Sequence, residues 1–307
     1  MTINEHIAHF AGLPVVAFDP QTAPEHAGAP VAWRLHVDDD QPDDAFAQLV
    51  TTWLDTVDPA SVQALVVGDW GNAWDRAFPA QVLVDAAPRL TNLRAVFLGE
   101  MTFDECEISW ILQPDITPLL AAYPALEVLR VRGAMSLELQ AVQHAGLREL
   151  AIESGGLPAS ITRAIVASDL PNCAHLELWL GTEDYGRDTG VDDLAPILDG
   201  TRLPALRTLG LRNAEIADAV AAALATAAVV PRLDTVDLSL GTLGDDGATT
   251  LLDGQPLTHL RRLDLHRHYL SDEMMARLPA AWPGVDVDVT DQQEEDEHRG
   301  RYVAVGE

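Results

Sequence analysis

The chain has 307 residues, 48% of them hydrophobic and 22% charged, which is the composition of a globular protein with ample apolar material for a core. Against 48 acidic side chains stand 19 basic ones, all arginine, so the net charge is −29. That excess works against polyphosphate and anionic-lipid contacts, which need a basic surface, so neither nucleic acid nor membrane is an expected partner. No apolar run approaches the 18 residues of a membrane span, and the first residues lack the basic start and apolar stretch of a secretory signal. Two cysteines, Cys106 and Cys173, are too few for a disulfide framework. The expectation is a cytoplasmic monomer.

In chain order, residues 1–58 read as a small N-terminal α/β cap. Residues 15–18 and 33–37 have the β-branched and aromatic content of strands, and the Pro, Ala and Gly of 20–30 join them as a loop. Residues 43–56 follow as an amphipathic helix, with Phe46, Leu49, Val50, Trp53 and Leu54 at helical spacing. From Val62 onward one pattern recurs, apolar-x-x-apolar-x-apolar. It runs Val62-Leu65-Val67, Leu93-Val96-Leu98, Leu126-Leu129-Val131, Leu147-Leu150-Ile152, Cys173-Leu176-Leu178, Leu206-Leu209-Leu211, Leu233-Val236-Leu238 and Leu260-Leu263-Leu265. A degenerate copy at Val285, Val287 and Val289 closes the series. The copies begin 21 to 33 residues apart, the period of leucine-rich repeats.

Helical patterns separate the copies. Asp192 and Asp193 open a helix carrying Leu194, Ile197 and Leu198, which Gly200 can end in the left-handed conformation. Ile216, Val220 and Leu224 share a helical face, and Asp245, Asp246 and Gly254 bracket a further helix around Leu251 and Leu252. Alternating strands and helices also fit a doubly wound nucleotide-binding fold. Two features exclude it. No Gly-x-Gly-x-x-Gly follows a strand, and one strand face carries Arg130, Arg132, Glu149, Glu153, Glu177, Asp237 and Asp264, which a second helix layer would bury at several kcal/mol each unless paired. The expected fold class is therefore α/β, a leucine-rich-repeat solenoid with a curved parallel β-sheet inside, helices outside and the N-terminal cap. The solenoid takes 59–290, in eight or nine units, and 291–307 form an acidic linker and tail. The apolar end of that tail, 302–305, either docks or frays.

The blocks Gly68-Asp-Trp-Gly71, Glu105-Cys-Glu-Ile-Ser-Trp-Ile111, Val131-Arg-Gly133 and Glu153-Ser-Gly-Gly-Leu157 carry a more specific likeness. So do Leu176-Glu-Leu-Trp-Leu-Gly181, Asp237-Leu-Ser-Leu-Gly-Thr-Leu243 and Leu263-Asp-Leu-His-Arg-His-Tyr-Leu270. Through them the chain resembles an uncharacterised bacterial leucine-rich-repeat family of the ribonuclease-inhibitor-like class, over nearly its whole length. The resemblance implies the fold and a scaffold or substrate-presenting role. It implies no catalytic residues.

Motifs for metalloproteases, P-loops, α/β-hydrolases and thiol redox centres are absent. Cys106 lies among Asp104, Glu105 and Glu107, whose charge opposes thiolate formation, while Cys173 holds a repeat-leucine position and reads as core. Ser154 reads as part of a turn leaving a strand, and the carboxylates of 183–193 as a solvated face, not a calcium loop. Asp237, Asp264, His266 and His268 match no metal-ligand spacing. No catalytic, cofactor-binding or metal residues are therefore assigned, and the protein is not expected to be an enzyme.

The candidate site is the concave sheet face. One column after the third repeat position runs Gly68, Gly99, Arg132, Glu153, Trp179, Arg212, Ser239 and His266, and another between the last two positions includes Arg130, Glu177, Asp237 and Asp264. Arginine and tryptophan in such a cluster are typical binding anchors, so Arg130, Arg132, Glu153, Glu177, Trp179, Arg212, Asp237, Asp264 and His266 are the expected partner-binding residues, with Trp179 facing solvent. The bland alternative is a self-satisfied ladder, with Arg132 paired to Glu153 and Arg212 stacked on Trp179. Insertions at 99–118 and 181–191, around Trp110 and Tyr185, form a second candidate surface. The resulting expectation is noncatalytic binding of a protein or peptide. The alternatives are an accessory subunit presenting a substrate to a modifying enzyme, and an enzyme with a site near Asp264 and His266.

Overall fold

Repeat spacing becomes strand register. The computed structural model describes residues 3–26, 28–38, 41–298 and 300–306. Parts of the expected cap, of the 20–30 loop and of the tail (Met1, Thr2, Ala27, Asp39, Asp40, Arg299 and Glu307) lie outside the described residues. The chain divides into two units, one running to Ile152 with Ser168–Leu170, the other comprising Glu153–Ala167 and Pro171–Gly306.

In the first unit the strands are β1 (His9–Phe10), β2 (Leu13–Ala17), β3 (Ala32–Val37), β4 (Ala64–Trp70), β5 (Ala95–Leu98), β6 (Val128–Arg132) and β7 (Glu149–Glu153), adjacent in that order. Leu65 pairs with Val96 and Val96 with Leu129, while Val67 pairs with Leu98 and Leu98 with Val131. Equivalent repeat positions thus stack across the sheet. The cap strands join the same ladder, because Trp33 and Leu35 of β3 lie opposite Leu65 and Val67 and fill the repeat positions without matching the motif. β1 is antiparallel to β2 across the turn Ala11-Gly12, whose φ values of 49° and 77° give the left-handed pair a two-residue hairpin requires. Helices α1 (Ala45–Thr56), α2 (Ala80–Ala86) and α3 (Thr117–Ala122) lie between strands.

The second unit begins with α4 (Ala159–Ala167) and continues β8 (His175–Gly181), α5 (Val191–Leu198), β9 (Thr208–Ala214), α6 (Ala217–Leu224), β10 (Thr235–Asp237), α7 (Asp245–Asp253), β11 (Arg262–Asp264), α8 (Asp272–Ala281) and β12 (Asp286–Asp288). The register Leu176–Leu209–Val236–Leu263–Val287 is parallel throughout. Strands that follow sequence order through right-handed crossovers place every connecting helix on one side of the sheet. Accordingly α4 to α8 pack against one another in sequence order.

Every repeat position from Val62 to Leu265 is buried, including Cys173, whereas Val285, Val287 and Val289 at the sheet edge are only half-buried. Helix punctuation follows the aspartates and glycines: the Asp193 carboxylate accepts the Gly190 amide ahead of α5, and Gly200 takes φ 76° after it. The edge strand β12 exposes Asp286, a charge that discourages pairing with another chain. The tail docks without forming a strand. Val303, Ala304 and Val305 are buried, and buried Asn213 holds Val305 by accepting its amide and donating to its carbonyl. Among the described residues no helix is long and apolar enough to cross a membrane.

Candidate functional site

Pairing in register brings the expected residues of the second unit into one cluster. Glu177 lies opposite Gly210, Trp179 opposite Arg212, and Asp237 opposite both Gly210 and Asp264. The Arg212 guanidinium lies 5.2 Å from the centre of the Trp179 ring, donates to Glu177 Oε1 at 3.0 Å and to the Ser239 hydroxyl at 2.9 Å, and reaches Asp237 at 3.2 Å. Trp179 Nε1 donates to the same Glu177 oxygen at 2.7 Å. Burial pushes the Asp237 carboxyl above its ordinary value, against the pull of Arg212 and Ser239.

Farther along the face, Asp264 Oδ1 meets His266 Nδ1 at 2.7 Å and accepts the His266 amide. Arg262 spans the Oδ2 atoms of Asp264, Asp286 and Asp288 at 2.8, 2.6 and 2.7 Å. Burial alone would raise Asp264, but the bonds from His266 and Arg262 hold it well below the usual carboxylate range. The bond to Asp264 in turn raises the His266 imidazole. Asp264, His266 and Asp288 offer donor atoms within 4.8 Å of one another, a spacing a cation could use, and the Arg262 guanidinium already bridges the two carboxylates. His268 has a structural task, bonding the Val289 carbonyl and accepting the Leu270 amide, and burial lowers its pKa.

In the first unit, Arg130 pairs with Glu149 at 3.3 Å, and Arg132 donates to the Met101 carbonyl at 2.7 Å. Both guanidiniums cover the Phe97 ring, at 5.7 and 5.1 Å. The expectation that Trp179 faces solvent needs correction: it is 7% exposed, and Arg132, Glu153, Glu177 and Asp264 are buried as well. These side chains lie along the sheet and bond their neighbours instead of standing up into water. The more accessible candidates are Arg130, Arg212, Asp237 and His266. Ser154 is buried and donates to the Trp179 carbonyl, a turn role with no sign of a nucleophile.

No protein-family model matches the chain. A crystal structure of a Bacteroides fragilis protein superposes with a TM-score of 0.78 at 31% identity, covering 94% of this chain and 76% of that one. The chain belongs to a bacterial leucine-rich-repeat family. This leucine-rich-repeat chain is also 36% identical to the bovine (Bos taurus) monocyte differentiation antigen CD14 over 178 residues, 54% of its own length. That alignment spans only 43% of the length of CD14.

The second surface expected from the sequence, the insertion around Trp110, is part of a cleft whose other wall the sequence did not indicate. In the first unit this open cleft of about 330 Å³ is lined by Trp74, Phe103, Glu105, Cys106, Glu107 and Trp110. Trp110, from the 99–118 insertion, is the residue around which the sequence placed that surface. Trp74 was not indicated, because nothing in the repeat pattern marks the loop after β4. The other insertion, 181–191, is occupied internally: buried Arg187 ties Glu183, Glu215 and the Thr189 carbonyl together.

Proposed function

We propose that this protein is a noncatalytic, cytoplasmic scaffold that binds a protein or peptide through its sheet face. The observation that carries the reading is the fixed Arg212 guanidinium, stacked on Trp179 and held by Glu177, Asp237 and Ser239 while still reaching solvent. A side chain ordered before contact loses little entropy on binding, which is what an anchor needs. Arg212, Asp237 and His266, all on the second unit, would make the contacts. Buried Glu177, Trp179 and Asp264 would hold them in place. Support for a noncatalytic role comes from the prior engagement of the ionisable groups, His266 with Asp264 and Arg212 with Glu177. The low cysteine content suits the cytoplasm.

The test is affinity capture with wild-type and Arg212→Ala baits, both used below their thermal midpoints. One protein retained by the wild type and lost by the variant, with direct affinity of the purified pair reduced at least about tenfold, is expected of an anchor. Equal affinity of both baits for that protein moves the contact off the ladder, and failure to retain any protein counts against the scaffold reading.

A further inference from the structure

We propose that the cleft between Trp74 and Trp110 is a recognition site for an arginine side chain of a partner peptide. The inference relies on the protein-binding reading but not on the sheet face.

The cleft exists because of local sequence. In the loop after β4, Ala73 and Phe78 are buried, Phe78 packing edge-on against Trp70 and Phe46, so Trp74 between them turns outward at 53% exposure. In the insertion, Ile108 and Ile111 are buried at a spacing of three, and Trp110 beside them is 52% exposed. The amide of Leu112 donates to the Ala73 carbonyl and that of Phe78 to the Leu112 carbonyl, which fastens the two loops together. Exposed tryptophan is costly surface, and two that line one cleft with Phe103 form an aromatic wall rather than scattered apolar exposure.

The rest of the lining is acidic. Glu105 is anchored by the Thr102 amide, Arg34 and His6; burial opposes its ionisation, but these partners outweigh burial and lower its pKa. Its attraction is partly spent on Arg34, which also pairs with the fully buried Glu100. Glu107 is different. Among the described residues its carboxylate has no hydrogen-bond or ion-pair partner, and exposed Asp104 and Asp75 add negative charge nearby in sequence. Indole faces beside a carboxylate without a partner are the complement of a cation. A guanidinium suits the cleft better than an ammonium, because its flat faces stack on indole while its edge donates two bonds to one carboxylate. A carboxylate ligand would meet Glu105 and Glu107 in a protein of net charge −29.

The experiment is calorimetric titration of the full chain with a blocked Gly-Arg-Gly-Arg-Gly peptide and its Lys and Glu counterparts. Saturable binding of the Arg peptide is expected, weaker for Lys and undetectable for Glu. Trp110→Ala should weaken the Arg peptide about tenfold, the loss of one desolvated cation–π contact, with the thermal midpoint unchanged because the indole is half in water. Glu107→Gln should weaken binding, whereas Glu294→Gln, the same charge change at an exposed linker residue, should not. Three results would each overturn the proposal: no saturable binding at millimolar peptide, equal affinity for the Arg and Lys peptides, or equal effects of Glu107→Gln and Glu294→Gln. The last would mean diffuse attraction to an acidic protein. None of the three would touch a partner retained through Arg212, so failure here and failure of the scaffold reading remain separable.

Discussion

The two units present the same sheet face with opposite chemistry. In the first, Val66 and Phe97 occupy the column between the last two repeat positions, and Phe10, Ala32, Ala64 and Ala95 complete a buried apolar cluster with them. Ile7, Leu13 and Val15 pack on its margin, so the N-terminal segment covers the face that repeat logic leaves open. Buried Glu100 clamps that segment by accepting the Ile7 amide and pairing with His6 and Arg34. In the second unit, Glu177, Asp237 and Asp264 stand in the same column and are neutralised laterally by Arg212, Arg262 and His266. An identical backbone register thus supports a covered apolar face and a charged, self-paired one. The leucines specify the scaffold, and the residues between them specify what lies on it.

The widest gap between the two faces should appear in stability. Phe97→Ala empties the covered face beneath Phe10, whose ring centroid lies 5.8 Å away, and is expected to cost about 4 kcal/mol, measured as a shift of the denaturant midpoint. A cost below about 1 kcal/mol would mean that the N-terminal segment contributes no packing there.

Trp179→Ala probes the charged face and should cost about 3 kcal/mol, since the indole is buried beneath Arg212 and its Nε1 bond to Glu177 is lost. A cost near zero would restore the solvent-facing tryptophan that motif reasoning expects. It would also erase the difference between a self-paired ladder and an open one.

The smallest effect is in pH dependence. The folded-state pKa of His266 is raised above 6.5 by its bond to Asp264, so its contribution to stability is complete below that value and fades as pH rises through the folded pKa. An imidazole titration followed by NMR should have its midpoint above 6.5, and Asp264→Asn should lower it. The stability advantage of the wild type over His266→Gln should shrink from pH 6 toward pH 9. A midpoint at or below 6.5 would show that Asp264 serves Arg262 alone.

The repeat positions, the helix starts at Asp192 and Asp245, the strands at 15–18 and 33–37 and the core role of Cys173 were all legible in the sequence. Each follows from a local rule: a two-residue side-chain alternation, a carboxylate at a helix start, an apolar residue at a periodic position. Where side chains come to rest was not legible. Whether Trp179 stands in water or lies beneath Arg212, and whether the tail frays or hangs on Asn213, depends on groups 33 and 92 positions apart in the chain. The meeting of Trp74 and Trp110 at one cleft is of the same kind. Periodicity fixes which way a strand residue points, but its exposure is set by neighbours on adjacent turns of the repeat and by terminal segments that return to the sheet. Those contacts exist only once the units have stacked, so the chain's own pattern determined the scaffold and the tertiary structure alone decided its surface.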